Sequence, residues 1–166
     1  MTISPDDKDA RREKIRMRLR RLPTERRALE AAMVAITPDF DLQQFTDAYN
    51  SEREADINRV RLVERNFEVI HNFITEIAKF GLEITGDRNV NDQANAPRDL
   101  SELGRLHVIT AQQQKSLIRM HDVRGGLQHW YPEMLGPDIH SAVEQLLQIL
   151  TPVCSRLQSW FESSLS

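Results

Sequence analysis

The chain has 166 residues, enough for one domain around a single core. Hydrophobic residues at 40% and charged residues at 28% mark an ordinary globular chain, and its longest apolar run, Ala31 to Ile36, is far below the roughly 18 residues of a membrane span. Cys154 is the only cysteine, which excludes an internal disulfide and a thiolate metal cluster within one chain.

The net charge of −3 is unevenly placed. Residues 1–36 hold 10 Lys/Arg against 6 Asp/Glu, and residues 37–166 hold 12 against 19. A basic segment on an acidic body suits an anionic partner, RNA included, or the body's own acidic surface. The N-terminus is charged and has no signal-peptide core, so a cytoplasmic location is expected.

In chain order, Lys8 to Leu22 reads as a basic helix. Ile15, Leu19 and Leu22 form its apolar stripe, and it stops before Pro23. Thr24 caps a second helix that ends at Thr37-Pro38. Asp39 or Asp41 can cap a third segment, with Phe40, Phe45 and Tyr49 available for packing. From Ser51 to Leu82 one long helix is expected. Val60, Val63, Phe67, Ile70, Ile74, Ile77 and Gly81 recur at three- and four-residue steps, and His71 sits beside that face as a core or boundary histidine with its hydrogen bonds met. Residues 85–97 are polar and keep no period; they read as a loop long enough to be mobile or functional. A short helix follows over Asp99 to Leu106, then a helix from Thr110 to Tyr131 that Pro132 stops. Gln112 to Gln114 with Lys115 read as its solvated face. A last helix opens near Asp138 and is expected to kink or restart at Pro152. No run alternates with the period of a strand. The expected fold class is therefore all-α, an antiparallel helix bundle over residues 38–166 with a basic helical N-terminal extension over residues 1–37.

Chemistry concentrates in the stretch Leu117 to Tyr131. Leu117, Met120, Leu127 and Tyr131 recur on one helix face, and Arg124 falls in the same series. A guanidinium in an apolar seam is costly unless it meets an anion, a partner chain or a wet groove. Gly125 and Gly126 follow it. Each costs about 1 kcal/mol inside a helix relative to Ala, so close approach by a backbone or ligand is the expected reason for them. His129 lies five residues beyond Arg124, roughly 140° around a regular helix, and Tyr131 returns to the face of Arg124 after about two turns.

Those three side chains suit work on a phosphodiester. RNA carries its own nucleophile, the 2′-OH, so its cleavage needs a base, an acid and a cation for the developing charge. His129 can move a proton near neutral pH, Arg124 can hold phosphate with a planar fork, and Tyr131 can donate a hydrogen bond. One such histidine per chain is a shortage that a two-fold dimer would mend. The remaining histidines, His107, His121 and His140, show no metal-ligand spacing, and no Walker, dinucleotide-binding or nucleophile-elbow motif is present, so neither a metal nor a cofactor is expected.

The run Arg124-Gly-Gly-Leu-Gln-His129-Trp-Tyr131 matches R-x-x-x-x-H-x-Y. With the amphipathic helix upstream, it resembles the HEPN superfamily over roughly residues 57–148, in particular the HepT-like ribonuclease toxins that pair with a minimal nucleotidyltransferase antitoxin. The resemblance implies a homodimer with a composite cleft, in which Arg124 and His129 correspond to the catalytic pair. Tyr131 corresponds to a tyrosine that the partner nucleotidyltransferase can adenylylate, blocking RNA. The family usually carries a polar residue, most often Asn, where this chain has Gly125, and Asp122 or His121 from the preceding turn are the candidates to replace it. A second function class stays open, a non-catalytic helical module that binds RNA, a nucleotide or a partner protein.

Overall fold

The basic N-terminal segment forms one uninterrupted helix, α1 (Pro5–Val34), in a computed structural model that describes residues 3–129 and 136–165, the side chains of 128 and 129 excepted. Ser4 caps α1 by accepting from the Asp7 N–H at 3.2 Å. The expected break at Pro23 does not occur; Pro23 lies inside the helix. A proline in a helix interior removes one backbone hydrogen bond and costs about 3 kcal/mol. Apolar burial on both sides of it offsets that cost, because Ile15, Leu19, Leu22, Leu29 and Met33 all enter the core. Fully burying each such side chain contributes about 1.5–3 kcal/mol.

The other helices are α2 (Leu42–Tyr49), α3 (Glu54–Thr85), α4 (Ala96–Arg105), α5 (Ala111–His129) and α6 (Gly136–Trp160), closed by a π-helical turn over Phe161–Leu165. The described residues contain no strand, and the chain is all-α, as its periodicity predicts. None of the helices is long and apolar enough to cross a membrane, among the described residues. The sequence also predicts an interruption of the last helix at Pro152. Instead α6 runs through it, with Leu150 and Val153 fully buried on either side, for the same reason as in α1.

The α3 helix is the centre of the bundle, packed against every other helix. Side-chain pairs give the directions. Arg11 meets Glu83, Arg18 meets Glu76 and Arg21 lies over Phe73, so α1 runs antiparallel to α3. Arg12 donates to the Leu165 carbonyl and Arg16 lies over Phe161, so α1 is antiparallel to α6 as well. The start of α5 adjoins the end of α6, where Leu106 to Val108 share a surface hollow with Ser159 and Trp160. The four long helices thus form an antiparallel bundle, α1 and α5 against α3 and α6. Gly81 on α3 is where the Trp160 indole seats; a Cβ there would come within 2.3 Å of it.

The cations of α1 are largely spent inside the molecule. Arg11 Nε donates to Glu83 Oε2 at 2.8 Å, and Arg18 pairs with Glu76. Lys14 and Arg18 lie over the Phe80 ring at 5.3 and 5.4 Å, and Arg21 over Phe73 at 5.0 Å. Of the two uses its charge allows, the basic helix makes the second, packing against the acidic and aromatic face of its own body.

The polar tract after α3 is tied down, not loose. Gly86 ends α3 in the left-handed region at φ 85°, which only glycine adopts without strain. The Arg88 side chain then turns inward and is 4% exposed. Its Nε donates to Asp99 Oδ1 at 3.0 Å and one terminal nitrogen to Glu83 Oε1 at 3.1 Å. The other terminal nitrogen donates to the Asp92 and Gln93 carbonyls, each at 3.0 Å. One guanidinium therefore joins the end of α3, the loop and the start of α4.

Candidate functional site

The site begins with the way α5 starts. Thr110 Oγ1 accepts from the Gln113 N–H at 3.1 Å, and Gln113 Oε1 accepts from the Thr110 N–H at 2.9 Å. This is a reciprocal capping box. The glutamine run is thus not wholly a solvated face: Gln113 is buried as part of the cap, and Gln114 lies against Gly104, where a Cβ would come within 2.0 Å of its amide oxygen. From that fixed start, Leu117 and Met120 enter the core fully buried, with Val123 beside them. Their spacing sets the rotation of α5, and so sets where Arg124 points.

Arg124 is half-buried. Its Nε is shielded from solvent and has no hydrogen-bond partner, and among the described residues it makes no ion pair. Gly125 beside it is half-buried, and a Cβ added there would meet nothing within 4 Å. Among the described residues no backbone approaches it closely, so of the two reasons expected for that glycine, a backbone or a ligand, the first finds no support there. The space beside it is open among the described residues. Gly126 is buried. His129 is the last residue of α5, five positions beyond Arg124 on the same helix. Its side chain and the whole of Tyr131 lie outside the described residues.

The two candidate supporting residues separate. Asp122 is exposed, whereas His121 is half-buried one turn before Arg124 and shares its face. Behind His121 stands His71 of α3, with ring centroids 5.4 Å apart and planes tilted by 36°. His71 is 1% exposed. Of the two places expected for it beside the apolar stripe, core or boundary, it takes the core, but its hydrogen bonds are not met. Both ring nitrogens of His71 and Nδ1 of His121 are buried without a hydrogen-bond partner. The Leu117 carbonyl is close enough to favour a proton on His71, although it does not align as a hydrogen bond. Burial dominates and pushes His71 down from 6.5 to about 4, helped by His121 and Arg124. Burial and then Arg124 lower His121 too, against a weaker opposing pull from Asp122.

The arrangement gathers one permanent cation and two imidazoles with unfilled nitrogens on the seam between α3 and α5. Sequence reading missed the pairing of His71 with His121. The available signal was that both occupy apolar-periodic positions, 67-70-71-74 on α3 and 117-120-121-124 on α5. His140 does something else. Its Nε2 is 2.8 Å from the Phe40 carbonyl, and it holds a turn in which Phe40 takes a positive φ of 56°. Cys154 is a packed thiol that burial raises to about 11, far from a reactive thiolate.

No family model, curated protein or solved structure matches this chain.

Gly125 gives a direct readout of the open space beside Arg124. Gly125→Ala is expected to stabilise the isolated chain by about 1 kcal/mol, since the methyl group meets no atom of the described residues and alanine favours the helix. Chemical denaturation checks this. A loss of stability would show that the space is filled.

Proposed function

We propose that the protein is a metal-independent endoribonuclease of the HEPN type that acts as a homodimer, the toxin of a pair whose antitoxin is a small nucleotidyltransferase. The observation that carries this reading is Arg124, a guanidinium without an ion-pair partner among the described residues, set on the same helix as His129 and beside the bare backbone of Gly125. A cation unpaired and beside open space among the described residues suits a phosphodiester, and helix α5 carries a proton-transfer group a little over one turn away. In this mechanism Arg124 grips the scissile phosphate and stabilises its added charge. His129 takes the 2′-OH proton or protonates the leaving 5′ oxygen. The second copy of His129 across the dimer axis does the complementary job. Tyr131 orients the substrate, and adenylylation there would fill the cleft with phosphate and bulk.

The test is RNA cleavage in EDTA by the purified chain and by His129→Ala and Arg124→Ala. Cleavage is expected from the parent and a loss of 100-fold or more in each variant, with both still folded dimers by circular dichroism and light scattering. Unchanged cleavage in both variants would overturn the assignment.

A second reading is favoured by Gly125 itself, which stands where the HEPN pattern has a polar side chain. In that reading the chain is a non-catalytic module that holds RNA, a nucleotide or a partner protein. It predicts binding without turnover at any enzyme concentration.

A further inference from the structure

Four buried nitrogens without partners lie on three neighbouring side chains: Nδ1 and Nε2 of His71, Nδ1 of His121 and Nε of Arg124. Leaving one buried polar group unmet costs about 1–3 kcal/mol, and native proteins carry few of them. These four are not scattered. The two rings are 5.4 Å apart, Arg124 is one turn from His121 on the same helix, and Arg124 acts electrostatically on both histidines. Arg26 Nε, the other unmet buried nitrogen among the described residues, belongs to α1 and acts on Cys154 of α6.

The character of the cluster selects its occupant. A guanidinium offers only donors. Each imidazole offers two donors once protonated, and one acceptor-rich anion can accept from Arg124 Nε, from His121 Nδ1 and from one of the two His71 nitrogens, whose N–H directions diverge. A metal cation is opposed by the fixed charge of Arg124, and among the described residues no three His, Cys, Asp or Glu stand together to hold one. The charged groups acting on His71 are His121 and Arg124, both from α5; Asp122, on the outer side of α5, acts on His121 alone. Among the described residues no carboxylate makes an ion pair with His71, His121 or Arg124. His71 is fully buried while His121 and Arg124 are half-buried, so the cluster opens to solvent at its α5 end.

We propose that His71, His121 and Arg124 form a binding site for one tetrahedral oxyanion, a phosphate group, in the seam between α3 and α5, and that the anion enters together with protons taken up from solvent by the imidazoles. Arg124 binds the outer oxygens, His121 the side and His71 the innermost oxygen. The site stands whether or not the chain cuts RNA, and it gives the two α3–α5 histidines a role that the Arg124–His129 motif does not. The phosphate can be a free ion or a unit of a nucleic-acid backbone.

The experiment follows the histidine imidazole resonances and the melting temperature of the full chain during titration with inorganic phosphate, against sodium chloride at matched ionic strength. Phosphate at millimolar concentration is expected to raise the melting temperature and to shift the His71 and His121 resonances toward their imidazolium positions. The affinity is expected to rise at least 10-fold between pH 7.5 and pH 5.5, since protons bind with the anion. His71→Leu fits an apolar helix position and Arg124→Gln lies half in solvent, so at least one of the two is expected to fold normally. Each is expected to lose the phosphate effect 10-fold or more. A phosphate response equal to that of chloride, a response that survives in both variants, an affinity that does not change with pH, or a response to zinc alone would each overturn the site. A short deoxyoligonucleotide, which ribonuclease chemistry cannot cut, separates the two sources. Competition with phosphate assigns the site to a nucleic-acid backbone, and undiminished phosphate binding assigns it to a free ion. Loss of RNA cleavage with phosphate binding intact would reject the nuclease and keep this site.

Discussion

Lowering the pH from 6.5 to about 4 in the absence of phosphate is expected to cost the folded chain about 3 kcal/mol through His71 alone. In the unfolded chain this imidazole titrates near 6.5, and in the folded chain burial, His121 and Arg124 hold it at about 4. Between those values the unfolded state binds a proton that the folded state refuses, so the stability it contributes is fully present above pH 6.5. It is lost progressively as pH falls, and the loss levels off below the folded value. A tenfold difference in proton affinity between the two states is worth about 1.4 kcal/mol, which gives the magnitude. His121 moves in the same direction and adds to the slope. Carboxylates also titrate near the lower end, so the comparison is with His71→Leu, whose denaturation midpoint should be markedly flatter between pH 6.5 and 5. Parallel pH profiles for the parent and His71→Leu would show that the folded protein accepts the proton freely, with a partner or water at the ring.

The helices were legible because their cores repeat. Val60 to Gly81 announces α3 by its steps, and Leu117, Met120 and Arg124 announce the rotation of α5. The same local logic failed at Pro23 and Pro152. A missing N–H is a fixed local penalty, while the compensation is tertiary: Leu19, Leu22 and Leu29 around one proline and Leu150 and Val153 around the other enter a core that only the assembled bundle provides. The motif residue Arg124 could be placed on a helix seam from spacing alone. That its Nε would go unmet could not, because the groups around it come from α3, some fifty residues earlier in the chain. His71 shows the same division. Its place in an apolar stripe predicts burial, and burial it has, but nothing in one stripe reveals that the neighbouring stripe carries His121 at the same height.

The fate of the basic α1 helix has a consequence for function. A cation already placed over Phe80 or paired with Glu83 is poorly available to an external anion, so the positive charge of residues 1–36 is a weak guide to any anion-binding site. Arg124 carries less formal charge than that whole segment, yet it is the cation left without an ion pair among the described residues of the α3–α5 seam. Placement, rather than the count of charges, is what the proposed site rests on. Removing single α1 cations therefore bears first on how α1 docks to α3.

Arg88→Met is expected to destabilise the fold by about 3–5 kcal/mol, a large share of the roughly 5–15 kcal/mol of a typical domain. The partners left behind set the size of the loss. Glu83 and Asp99 are both nearly inaccessible to solvent, and the Arg88 guanidinium lies between them with its hydrogen bonds filled by the two carboxylates and by the Asp92 and Gln93 carbonyls. Methionine matches much of the length and apolar volume of the arginine stem, so the change removes the charge without opening a large cavity. Glu83 keeps one cation, Arg11 from α1, at 2.8 Å. Asp99 loses its buried partner, and burial already raises its proton affinity, so in the variant it is driven further toward the neutral acid. That direction gives the prediction a second handle. The variant should regain part of its loss as pH falls and Asp99 protonates, opposite to the His71 effect in the same window. The double change Arg88→Met with Asp99→Leu removes the stranded carboxylate and should recover part of the stability at neutral pH. Urea denaturation of the single and double variants at pH 7 and pH 5 measures all of this. A loss below about 1 kcal/mol for Arg88→Met would mean that the polar tract after α3 is held by its backbone alone and that the buried guanidinium does not fasten it.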